Sequence, residues 1–106
     1  MKIWLDDIRV APDGFLWIKT AEECVEIVKS GNVTFIDYDN DLGEGHDGYW
    51  VASQIERMAM SNKICPISWK IHSDNPCGRL NITAAMTSAE RFWEQNANTS
   101  HTNDLP

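Results

Sequence analysis

The chain contains no apolar stretch near the roughly 20 residues needed to span a bilayer, and no apolar leader precedes the opening Lys2-Ile3-Trp4-Leu5. A cytoplasmic protein without a membrane partner is therefore expected. Cysteine is sparse: Cys24, Cys65 and Cys77 form an odd set without C-x-x-C spacing. This indicates neither a disulfide framework nor a zinc site, and leaves buried free thiols as the expectation. Basic residues are few, 9 against 16 acidic ones, for a net charge of −7. That field opposes the wrapping of duplex DNA. A small phosphorylated ligand stays accessible, because a divalent cation held by clustered carboxylates reverses the local sign. Phosphate-cradling glycine loops are missing as well, since Gly43 and Gly45 lack dinucleotide or P-loop spacing and read as turn glycines.

What is present is an ordinary globular composition, 42% hydrophobic and 24% charged over 106 residues, enough for one core and too little for two. Lys2 to Leu5 is a short apolar run that stops at Asp6-Asp7, as a central parallel strand does at a sheet edge. After the Pro12, Asp13-Gly14 turn signal, Phe15 to Lys19 reads as a second strand. Thr20 and Glu23 form a capping box for a helix whose apolar residues Ala21, Cys24, Val25 and Val28 share one face until Gly31 stops it. Val33 to Tyr38 is a strand delivering Asp39-Asn40-Asp41 to a loop. A helix over Tyr49 to Met60, a strand over Ile64 to Ile71 and a helix introduced by Pro76 and Gly78 complete the pattern. The last helix carries an apolar stripe through Ile82, Ala85, Met86, Ala89, Phe92 and Trp93. Residues 1–93 are thus expected to be the domain, and Glu94 to Pro106, polar and aperiodic, a disordered tail. Strands separated by helices imply a parallel sheet with helices on both faces and a ligand site beyond the strands' carboxyl ends.

The chemistry-bearing residues fall at that edge. Asp6, Asp7 and Asp39, with Asp41 near by, would repel one another unless a hard cation such as Mg²⁺ or Mn²⁺ joined them; singly, each acid would serve equally well as a turn or helix cap. His72-Ser73-Asp74-Asn75 ends the last strand, where an imidazole can move a proton and a hydroxyl can meet a phosphoryl oxygen. Arg9 and Arg79 are the cations best placed for phosphate, and Asn40 and Asn75 add polar groups for substrate binding. Lys70 is a weaker candidate, since strand alternation turns it away from Ser73. The five tryptophans read as core or half-buried residues, and His46 as a solvated loop residue.

Leu5-Asp6-Asp7-Ile8-Arg9, the run Ile36 to Gly43 and Ile71-His72-Ser73-Asp74-Asn75-Pro76 together resemble the receiver-like domain associated with cyclic-phosphate processing in bacteria and their phages. The resemblance spans roughly Met1 to Trp93 and implies an α/β fold of truncated receiver (flavodoxin-like) type, with a four-stranded sheet of order 2-1-3-4 and no fifth strand or helix. By similarity to response-regulator receivers it assigns Asp6, Asp7 and Asp39 to Mg²⁺, Asp39 also to phosphoryl chemistry, and Ser73 to the hydroxyl position after strand four. The receiver lysine of the fifth strand has no counterpart here, which leaves Arg9 or Arg79 to replace it. The implied function is metal-assisted hydrolysis or ring opening of a cyclic phosphate, at a 2′,3′-cyclic RNA end or in a cyclic nucleotide signal, with Asp39, His72 and Ser73 catalytic. The alternatives are a binding module that sequesters such a ligand, of phage anti-defence type, and a degenerate receiver that contacts a protein. The oligomeric state is left open.

Overall fold

In the computed structural model, backbone is described for residues 1–103 and side chains for residues 1–98. Four short strands, β1 (Lys2–Leu5), β2 (Leu16–Ile18), β3 (Phe35–Tyr38) and β4 (Ser68–Ile71), form one parallel sheet of order β2-β1-β3-β4. The sheet order is the one expected of a truncated receiver. Helices α1 (Ala21–Lys29), α2 (Gly48–Met60) and α3 (Pro76–Asn103) supply its cover.

Each element follows from local chemistry. Thr20 caps α1 by accepting the Glu23 N–H at 3.2 Å, and Gly31, at φ +88°, takes the left-handed conformation that ends it. Asp47 caps α2 by accepting the Trp50 N–H at 2.9 Å. Asn75 caps α3 through the Gly78 N–H at 3.1 Å, with Pro76 at the first helical position where its missing N–H costs nothing. Strand β4 begins at Ser68 rather than Ile64, because the segment through Pro66 lacks a ladder donor there.

In register, Ile3 and Leu5 align with Ile36 and Tyr38, and all four are buried against α1, α2 and α3 through residues such as Val28, Ile55 and Met86. Tyr38 Oη donates to the Met86 sulfur at 3.2 Å, and Trp69 on β4 donates to Glu90 of α3 at 3.1 Å. Since α2 packs between α1 and α3, all three helices lie on this one face. Helices on both faces were expected, and this is corrected. The β1–β2 crossover is a loop rather than a helix, and no described element follows α3, so the opposite face has no helical cover.

Two further expectations change. Helix α3 continues to Asn103, so the segment from Glu94 as far as Asn103 is helical rather than a disordered tail; Asp104 to Pro106 lie outside the described residues. Propagating a helix costs far less than nucleating one, and Asn96 ties this stretch down by donating to the Ala59 carbonyl at 2.9 Å. Of the cysteines only Cys24 is buried, its thiol pushed up to about 12 first by that burial and then by Glu23. Cys65, in the loop before Pro66, and Cys77, in the first turn of α3, are exposed.

Candidate functional site

Beyond the carboxyl ends of β1, β3 and β4, three side chains converge: Asp6, Asp39 and His72, each offering one ligand atom within 4.8 Å of the others. Asp6 directly follows β1 and is 1% exposed. Its Oδ1 accepts the N–H groups of Ile8 and Arg9, both at 2.8 Å, which fold the chain back at the end of the strand. Its Oδ2 lies 2.9 Å from His72 Nε2. Burial raises the Asp6 pKa, but the bonds from Arg9, Ile8 and His72 outweigh it, so the carboxyl sits below its ordinary value.

His72 is held from three sides. Its Nδ1 lies 2.7 Å from Asp37 Oδ1, its Nε2 faces Asp6, and its ring stacks on Trp4 with centroids 3.8 Å apart and planes 1° from parallel. A neutral imidazole carries one N–H, so only the protonated ring donates to both carboxylates at once. Asp37 has no role in the sequence reading. Its signal was a lone acid inside the β-branched and aromatic strand, where a buried carboxylate needs a partner. Register places it on the same face as Trp4 and beside Lys70.

Asp39 is half-buried and shifted the other way. Burial raises its pKa first, the Asn40 N–H bonded to its Oδ1 at 2.8 Å opposes this, and the nearby Asp6 charge raises it further; attraction to His72 and a bond with the Ser73 hydroxyl only partly offset that. Two neighbouring carboxyls thus have oppositely displaced affinities for a proton. Ser73 is 3% exposed, and its Oγ also accepts the Asn75 N–H at 3.1 Å.

The other candidate residues frame this cluster rather than enter it. Asp7 is half-buried and lies outside the three-residue group, its Oδ2 approaching Gly43. Arg9 reaches the His72 carbonyl and Asp74 Oδ2, both at 3.2 Å, while Arg79 donates to the carbonyls of Ser73 at 2.9 Å and Ile71 at 3.3 Å. Both guanidinium groups therefore brace the loop after β4. Asn40, 5% exposed, accepts the Tyr49 N–H at 3.1 Å, and Asn75 donates to Asp41 at 3.3 Å while capping α3. Both asparagines are occupied in joining the loops to helix N-termini. Gly48 and Gly78 permit that closeness: a Cβ on Gly48 would fall 2.1 Å from the Asp39 carbonyl oxygen, and one on Gly78 2.5 Å from Asn40 Cγ. His46 is exposed and stacks on Trp50 with centroids 4.0 Å apart.

As a donor set for a hard cation the site offers the carboxylates of Asp6 and Asp39. His72 Nε2 is already engaged with Asp6, so the imidazole is a charge neighbour of such an ion more naturally than a ligand. No described helix is long and apolar enough to cross a membrane. Comparison with curated proteins and with solved structures finds no match. The sequence profile of the cyclic-phosphate processing receiver domain matches residues 1–88, a span that holds every residue of the cluster, and the chain therefore belongs to that family.

Proposed function

We propose that the domain hydrolyses a cyclic phosphate, at an RNA end or in a cyclic nucleotide, with Asp39 as base and His72 as acid. The observation that carries this reading is the opposite displacement of two adjacent carboxyls around one doubly bonded imidazole. Environments that push titratable groups apart are how one site supplies both an acid and a base. Asp39, with its raised affinity for a proton, takes one from the attacking water as the new phosphorus–oxygen bond forms. His72, held as a donor by Asp37, gives its Nε2 proton to the ribose oxygen as the ring phosphorus–oxygen bond breaks. Asp6 stays ionised throughout and fixes the imidazole.

Positive charge for the phosphoryl group comes from the N-terminus of α3, capped two residues after Ser73. Mg²⁺ or Mn²⁺ held by Asp6 and Asp39 would supply further charge stabilisation. The test is incubation with RNA carrying 2′,3′-cyclic phosphate ends and with cyclic di- and oligonucleotides, followed by mass detection of bound and released species. Products gaining one water support hydrolysis. A second reading, capture without turnover, is favoured by the cover over the proton donor and the carboxylate that fixes it, with side-chain exposures of 14% for His72 and 1% for Asp6. A ligand recovered unchanged after denaturing the complex would select it and end the enzyme reading.

A further inference from the structure

The sheet face opposite the helices has a composition that a merely solvated surface does not require. In register, Lys2 and Trp4 of β1 align with Phe35 and Asp37 of β3, which align with Ser68 and Lys70 of β4. Phe15 joins this face from the loop before β2: its ring lies 6.3 Å from Trp4 and 6.0 Å from Phe35, edge-on to both. The three rings are half-buried, so each offers part of its surface to solvent. Among the described residues no helix covers them.

The cations of the sheet gather here too. Lys2 Nζ lies 4.5 Å above the Phe15 ring and Lys19 Nζ 4.4 Å above the Trp17 ring, while Lys70 is exposed beside Asp37. Asp37, the one acid that the strands place on this face, is paired with His72. A chain of net charge −7 therefore presents three lysines and a row of aromatics on one surface. The row ends at Trp4, whose ring carries His72. The surface and the cluster beyond the strands are continuous.

We propose that this uncovered face is a short track for single-stranded RNA, on which bases stack against Trp4, Phe15 and Phe35 while Lys2, Lys19 and Lys70 meet the backbone phosphates. Aromatic rings on an open sheet flanked by lysines are what sequence-tolerant single-strand binding requires, since every base has a π-face and every linkage a negative charge. A second copy of the chain fits less well, because a two-fold pairing would press one lysine-bearing surface against another while Asp37 is already paired with His72. The negative charge of the rest of the molecule limits the track to a few nucleotides. This inference rests on the cyclic-phosphate reading, in that the strand's end is the group delivered to Asp39 and His72.

The test is calorimetric titration of the full chain with three probes: a tetraribonucleotide ending in a 2′,3′-cyclic phosphate, the same tetranucleotide ending in a 3′-hydroxyl, and a 2′,3′-cyclic mononucleotide. The cyclic-ended tetranucleotide should bind about tenfold or more tighter than the mononucleotide. The double substitution Lys2→Glu and Lys70→Glu should weaken the tetranucleotide by about tenfold and reduce its salt dependence, with the mononucleotide little changed. Phe35→Ser, with folding checked by circular dichroism, should weaken the tetranucleotide alone. Equal affinities for mononucleotide and tetranucleotide, indifference to the charge reversal, or a dimer that the charge reversal abolishes or strengthens would each overturn the track. Conversion of the mononucleotide without a tetranucleotide preference would refute the track and leave the chemistry standing. Lysine-dependent binding of the 3′-hydroxyl probe, with no cyclic phosphate converted, would do the reverse.

Discussion

Asp39→Asn should make the folded protein more stable while abolishing its chemistry. The substitution removes one of two carboxylates whose oxygens lie within 4.8 Å of each other. At that separation two unit charges repel by about 1 kcal/mol at the dielectric constant of water and by about 3 kcal/mol at an effective value of about 20. Asp39 is partly open to solvent and shares the cluster with His72, so screening selects the lower figure, about 1 kcal/mol. The bond to the Asn40 N–H is not lost, because an amide oxygen accepts it as a carboxylate does. The gain has a definite pH dependence. Burial, and then Asp6, raise the Asp39 pKa from 3.8 in the folded state, so the wild type binds that proton more tightly folded than unfolded. It therefore loses stability as pH rises from about 3.8 through the raised value, and an uncharged Asn escapes this loss. Thermal unfolding at pH 7 should show the variant melting about 4–8 °C higher, a difference that disappears in acid below the ordinary carboxylate range. A variant that melts lower than wild type at neutral pH, or keeps its advantage in acid, would show that Asp39 is not held against repulsion. The assignment of Asp39 as a proton acceptor would fall with it.

Asp6→Ala should act in the opposite direction, costing about 3 kcal/mol at neutral pH because it strips two backbone N–H groups and His72 of their acceptor. Since the Asp6 pKa is lowered on folding, that cost should shrink in urea titrations as pH falls through the folded value. Asp37→Asn should lower cyclic-phosphate turnover by about tenfold or more with little change in substrate affinity, because His72 loses its second carboxylate; a loss confined to affinity, with turnover intact, would deny Asp37 that role. Gly48→Ala should cost about 1–3 kcal/mol by denaturant unfolding, since its methyl group meets the Asp39 carbonyl and only backbone movement relieves it. Millimolar Mg²⁺ should raise the melting temperature of the wild type and not of Asp39→Asn; equal responses would remove the cation from the site.

How much of this was legible in the sequence depended on whether the signal was local. The α1 boundaries were written in Thr20, whose hydroxyl accepts the Glu23 N–H, and in Gly31, which takes the left-handed conformation that ends the helix. The arrival of Asp6, Asp39 and His72 at one edge followed from apolar runs ending in polar residues, which is how parallel strands announce their carboxyl ends. Asp37 was not legible, because its meaning depends on which β4 residue lies opposite, and register is a property of the assembled sheet. Nor was the one-sided placement of the helices, since an apolar stripe says that a helix covers something and not which side it covers. Arg9 and Arg79 were read as cations for a phosphate, whereas their guanidinium groups meet backbone carbonyls of the segment after β4 that sequence spacing does not reveal. The helical continuation beyond Glu94 was hidden for a similar reason, Asn96 being anchored by a carbonyl on another helix.

The parallel stack of Trp4 on His72, 3.8 Å between centroids, gives the molecule an internal optical gauge. An indole in van der Waals contact with an imidazole loses excited-state energy to the protonated ring far more efficiently than to the neutral one. The emission of Trp4 is therefore wired to the charge of the group placed at the centre of the proposed chemistry. With the other four tryptophans replaced by phenylalanine, a single chain would display, without label or added dye, each disturbance of the Trp4–His72 contact as a ligand arrives and departs.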